Sequence, residues 1–245
     1  MAPVMQDELL SRFLMATPTD LTDLSKDLKL APEVLEGLDA VAKRTRMADE
    51  LRSVAGHTLM NLARLARSRR LSYREILIDV ADKLTPGIIS RSGFHDCPEA
   101  NVATIENYIV EEVRRLAAVR LQKMSSEDRR QVQGEIERKL REQGASDAAL
   151  KAAGAAVAAG TVSGLVLASA ASAALYSGLW TALVGMSVRQ VVISGLAVGG
   201  PVGVVAGIVM LLTSPSYGKT IPAVVRLAFI RRSHDEREAL MKEAS

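Results

Sequence analysis

His95, Asp96 and Cys97 stand side by side, with Glu99 two residues further on. These side-chain types ligate metals or act as nucleophiles. Their spacing matches no standard zinc site, and the other histidines, His57 and His234, are far away in sequence. Asp96-Cys97-Pro98-Glu99 reads more simply as the start of a helix, with Asp96 as its cap. Gly199-Gly200-Pro201-Val202-Gly203 has the glycine density of a phosphate-binding loop, but no lysine follows where that loop needs one. Arg64, Arg67, Arg69, Arg70 and Arg74 form a basic run that could meet phosphates. Aromatic residues to stack bases are nearly absent there, with only Tyr73 close by, so nucleic acid is not an expected partner. Asp79, Asp82, Glu106, Glu111 and Glu112 fall by pattern on helix surfaces and define no catalytic pair. The expectation is a protein that is not an enzyme, with no catalytic residue, no cofactor, no metal site and no small-molecule substrate.

The elements that carry these residues are helical. Aromatics make up 3% of the chain, and Ala, Leu, Arg and Glu are common, which favours helices over strands. Thr17-Pro18-Thr19-Asp20 is a capping box between a short helix near 7–16 and another near 19–29. A third helix is expected from Pro32 to about Arg52, with Val34, Leu35, Leu38 and Val41 on its inner face. Gly56 interrupts it. Ser72-Tyr73-Arg74-Glu75 opens a helix to Leu84, with Ile76, Leu77, Val80 and Leu84 facing inward and Pro86-Gly87 ending it. Asp96 is expected to cap a helix to about Met124. Ser125 or Ser126 caps the next, which reaches Gln143 with an almost wholly charged surface and reads as a solvated strut. The single cysteine, Cys97, excludes an internal disulfide, and the acidic amphipathic N-terminus is not a secretory signal.

The largest physical demand comes later. Between Lys151 and Lys219 the only charged residue is Arg189. Such a segment must be buried in lipid, in a protein core or in a partner. As one helix, residues 152–188 would reach roughly 55 Å, against about 30 Å for a bilayer core. Residues 190–212 would reach about 34 Å, the length of one span. The first stretch is diluted by Ser163, Ser169, Ser172 and Ser177, and the second is richer in Val, Ile and Leu. Arg189 would cost roughly 2.5–3.5 kcal/mol at the bilayer centre, so it belongs at the tip of a helical hairpin. Gly160 and Gly164 form one small-residue pair, and Gly195, Gly199, Gly203 and Gly207 form a ladder at four-residue steps. That spacing lets helices pack closely in lipid. Trp180 suits an interface. Basic residues flank the segment on both sides, with Arg226, Arg231 and Arg232 following it as a face for lipid phosphate, like Arg67, Arg69 and Arg70 before it.

Three stretches together resemble the bacterial YaaW-like family. One is Tyr73-Arg74-Glu75-Ile76-Leu77-Ile78-Asp79-Val80, ending at Lys83-Leu84. The most specific is Gly199 to Gly203 followed by Tyr217, Thr220-Ile221-Pro222-Ala223-Val224 and Arg231-Arg232. The third is the acidic-hydrophobic segment Asp7 to Leu28. The family's glycine-rich segment before the tyrosine motif is reduced here to Ala55-Gly56-His57. The resemblance marks Tyr73, Ile76, Leu77, Asp79, Gly200, Pro201, Ile221 and Pro222 as motif residues and implies no catalytic site. The family is loosely grouped with ubiquinol–cytochrome c chaperones, helical assembly factors of a respiratory complex.

The expected organisation is all-α: a short helical module at 1–30, a soluble helical domain at 31–145, an apolar hairpin at 146–215 and a basic amphipathic helix at 216–245. The expected function is membrane association or insertion by the hairpin, as a regulated pore-forming or membrane-perturbing effector. Its expected place is the cytoplasm at the inner face of the cytoplasmic membrane, with membrane lipid and a protein partner or second copy as partners. The alternative is a soluble chaperone or assembly factor whose hairpin is buried or grips a client.

Overall fold

The protein is all-α. The computed structural model describes residues 7–56, 71–84, 101–142, 147–158 and 217–243, and among them there is no strand. In chain order the α-helices are α1 (Glu8–Met15), α2 (Pro18–Asp27), α3 (Ala40–Gly56), α4 (Tyr73–Leu84), α5 (Val102–Lys123), α6 (Ser126–Glu142), α7 (Asp147–Ala158) and α8 (Tyr217–Glu243).

Local chemistry sets most helix starts. Asp7 caps α1 by accepting the Leu10 N–H at 3.2 Å. Thr17 and Asp20 close the expected capping box on α2, with Pro18 in its first turn. Ser72 and Glu75 do the same for α4. Ser125 accepts the Asp128 N–H ahead of α6.

Two starts differ from expectation. Pro32–Val34 is only a 3-10 turn, and the helix expected from Pro32 begins at Ala40. Gly37 turns the chain with φ +72°, and Asp39 then accepts the Val41 and Ala42 N–H groups at 2.8 Å each. The expected inner face is displaced with it. Val41 is 62% exposed, whereas Met47, Ala48, Leu51 and Ala55 form the buried stripe of α3. Further on, α5 begins at Val102 with Asn101 as its cap. The Asp96 cap lies outside the described residues.

The helices join in one core. α8 packs against α1, α2, α3, α4 and α5, α1 against α3, and α4 against α5. The first half of α8, Tyr217 to Ile230, is buried on nearly all sides, while its end from Asp235 is exposed. The helix expected to be basic and amphipathic is a core helix with a solvated tail. Lys219, Arg226 and Arg231 pair with carboxylates of the described bundle, as set out below. The N-terminal helices share this core rather than standing apart from it.

α6 is not a bare strut. Val132, Ile136 and Leu140, spaced by four, are buried, and α7 packs against α6 with Leu150, Gly154 and Val157 buried. α7 begins the segment read as apolar hairpin; the rest of that segment lies outside the described residues. Among the described residues no helix is long and apolar enough to cross a membrane.

The end of α2 carries a local strain that can be tested. Lys29 has φ +53°, and the Lys29 and Leu30 N–H groups close onto Lys26 O and Ser25 O at 3.0 and 2.9 Å. This is the Schellman geometry, which favours glycine at the position Lys29 occupies. Lys29 is exposed and carries a Cβ penalty there of about 1 kcal/mol. Lys29→Gly should raise unfolding stability by up to about 1 kcal/mol, read from the urea midpoint. A decrease would show that the lysine side chain makes a compensating contact.

Candidate functional site

The least ordinary chemistry lies at Glu106, which is 0% exposed. Its place on α5 explains why: Val102, Glu106, Ile109 and Val113 fall on one face, and the other three are core residues. A carboxylate there must be met by donors. Arg12 from α1 donates its Nε–H to Oε1 at 3.2 Å. Tyr73 from α4 donates its hydroxyl to the same oxygen at 3.0 Å. Arg231 from α8 donates its Nε–H to Oε2 at 2.5 Å. Four helices thus meet at one carboxylate, and Glu106 was expected on a helix surface.

This environment acts on its neighbours. Burial, and then the negative charge of Glu106, push the Tyr73 phenol well above its ordinary value of 10.0. Burial opposes the charge on Arg231, but Glu106 and Asp235 outweigh it and hold the guanidinium more firmly protonated. Closed off from solvent, with guanidiniums on both oxygens, Glu106 is arranged as a fastening.

A second fastening lies further back along α8. Arg226 is 5% exposed, and it reaches Asp27 at 2.5 Å through Nε and Asp23 at 3.3 Å through Nη1, both on α2. Near the start of α8, the Tyr217 hydroxyl donates to Asp79 of α4 at 3.0 Å, and Lys83 lies 4.9 Å from the Tyr217 ring centre. Lys219 pairs with Glu50 of α3 at 3.7 Å. Arg44 of α3 closes the end of α1 by donating to Phe13 O at 3.0 Å and Ala16 O at 3.1 Å. Arg52 holds the α1 cap residue Asp7. Burial works against the Asp7 charge, but the Leu10 N–H and Arg52 outweigh it and lower its carboxyl below the usual value of 3.8.

Arg226 and Arg231 were expected on a basic face for lipid phosphate. Both instead pair with carboxylates inside the bundle, because the apolar run Ile221 to Ile230 takes Arg226 into the core with it. Arg232 is the exception: its described partners are the Asn107 side chain and the Phe229 ring. Tyr73, Ile76, Leu77, Ile221 and Pro222 are buried, and Asp79 meets Tyr217, so two motifs far apart in sequence come together. Gly160, Gly164, Trp180, Arg189, Gly195, Gly199, Gly200, Pro201, Gly203, Gly207, Arg67, Arg69 and Arg70 lie outside the described residues, as do His95 and Cys97. Among the described residues no group of three or more His, Cys, Asp or Glu side chains could hold a metal ion.

Arg12, Asp23 and Asp27 were not singled out from sequence, and Glu106 was read there as a surface carboxylate. A signal existed for one of them, since Glu106 sits four residues after Val102 and three before Ile109 on an apolar face. Comparison with protein-family models, curated proteins and solved structures finds no match for this chain.

Two outcomes test the Glu106 cluster. Glu106→Leu leaves two guanidiniums and a buried hydroxyl without their acceptor, and breaking a buried pair from one side costs about 3–5 kcal/mol. The lower end applies, because the Arg12 and Arg231 side chains keep 16% and 11% exposure and can draw water. A loss of less than about 1 kcal/mol in urea unfolding would contradict a structural role. Tyr73 supplies the second test. Its folded-state pKa is raised, so its contribution is fully present below the unfolded value near 10.0 and is lost as pH rises through the folded value. Stability should fall as pH rises above about 10.0, the fall should be shallower in Tyr73→Phe, and tyrosinate absorbance should show one phenol ionising only as the protein unfolds.

Proposed function

We propose that this is a non-enzymatic, membrane-associated helical protein. Residues 159–216 contact or enter the bilayer, and the described bundle is the water-facing body that holds both ends of that segment. It works at the inner face of the cytoplasmic membrane.

One observation carries the reading. The segment 159–216 has a single formal charge, Arg189, yet it leads directly into α8, the helix most heavily fastened by buried ion pairs. A segment of that composition has little to offer water, and a firmly seated helix at its exit is a sound anchor for it. The YaaW-like resemblance adds no activity to this reading.

Fractionation of the expressed protein tests it. The full chain should pellet with membranes, resist carbonate and be released by detergent. A chain with 159–216 replaced by a Gly/Ser linker should keep its helical circular dichroism and move to the soluble fraction. Recovery of the full chain entirely in the soluble fraction, with no binding to added liposomes, would sink the proposal and favour an assembly factor with a sheltered hairpin.

A further inference from the structure

We propose that Arg231, Arg232 and Asn107 form a phosphate-binding site on the outer flank of α5 and α8. Arg232 directs both Nε and Nη2 at Asn107 Oδ1, at 3.1 and 2.8 Å. Arg231 adds Nη2 on the same atom at 3.2 Å. Three guanidinium N–H groups thus converge on one neutral amide oxygen. The Nε/Nη2 edge of arginine is a two-donor fork that matches a pair of oxygens on one anion. A single amide oxygen serves it poorly.

The surrounding charge fits an anion. Arg231 gives Nε to Glu106 and Nη1 to Asp235, leaving Nη2 on the open side. Arg12 and Arg231 pair with Glu106 and Asp235, and no carboxylate is among the described partners of Arg232. The Phe229 ring lies 5.6 Å beneath the Arg232 guanidinium and steadies its plane. Asn107 is exposed and can rotate to present its amide N–H₂ instead. A phosphate then places two oxygens on the Arg232 fork and a third between Arg231 Nη2 and Asn107. A carboxylate, with two oxygens, would satisfy only part of this set. The ligand is a phosphate group, borne by a lipid headgroup or free in solution; only the first source rests on the membrane reading above.

Asn107→Asp is the decisive variant. It keeps the size of the side chain and puts a carboxylate on the fork, so the site is occupied from within and the fold is not weakened. Thermal unfolding of the full chain is followed in inorganic phosphate and in chloride at equal ionic strength. Phosphate should raise the midpoint of the parent chain and leave Asn107→Asp unmoved, with Arg232→Lys losing most of the response. Equal responses from parent and Asn107→Asp, or no response from the parent, overturn the site.

Co-sedimentation with phosphatidylcholine vesicles, with and without phosphatidylglycerol, then identifies the source. A headgroup ligand makes Asn107→Asp lose about fivefold of the preference for anionic vesicles, the share of one basic residue. An unchanged vesicle preference together with a lost phosphate response supports a soluble phosphate ligand. If the parent binds no vesicle at all while phosphate still protects it, the membrane reading fails and the phosphate site stands.

Discussion

Burying a carboxylate is tolerable only where its charge is met on the spot, and Glu106 imposes that condition on four helices at once. Even after relaxation, each desolvated ion costs several kcal/mol, so the partners must arrive with good geometry. Here they come from opposite ends of the chain, Arg12 on α1 and Arg231 on α8. Neither is local to α5. The carboxylate is satisfied only when the N-terminal and C-terminal helices are both seated and both turned correctly. A slip of one residue along α8 would rotate Arg231 by about 100° and carry its Nε away from Glu106. The cluster is therefore a test of register that the whole bundle has to pass.

The same logic explains why α8 carries arginines through its buried half. The run Ile221 to Ile230 offers apolar side chains on every face, and such a helix could settle at several rotations with similar burial. Arg226 removes that freedom, because one rotation places it between Asp23 and Asp27 and the others bury it alone. Well-packed apolar residues could match the stability of such a pair, but not its choice of position. Lys219 with Glu50, and Tyr217 with Asp79, repeat the constraint about two and two and a half turns earlier. The fastening is distributed along the helix, so tension applied at Tyr217 is shared by α2, α3, α4 and α5.

Much of this was legible in the chain because it is local. The capping boxes at Thr17 and Ser72 and the inward residues of α4 follow from side chains within a few positions of one another. The start of α3 was not legible: Pro32 looks like a first-turn proline, and only the positive φ of Gly37 and the Asp39 cap move the helix onward. The Glu106 cluster was hidden for a different reason. Its partners lie 94 and 125 residues away, and nothing in local spacing says which guanidinium reaches which carboxylate. The single charge of residues 159–216 is plain in the sequence, whereas its surroundings lie outside the described residues.

Arg231 joins the buried cluster to the outer surface. Its Nε serves Glu106 inside, while its Nη2 faces Asn107 outside. From Tyr217 to Arg231 the helix rises about 21 Å, so the exit of the apolar segment and the arginine fork lie on one continuous helix. Linkage fixes the sign of any coupling between them. An anion that binds only when Arg231 and Arg232 are in place favours the seated form of α8, by an amount that grows with the logarithm of its concentration once that exceeds Kd. A phosphate at the fork would hold α8 seated in the described bundle rather than release it. If residues 159–216 engage lipid, the bundle thus acts as an anchor that anionic surfaces tighten.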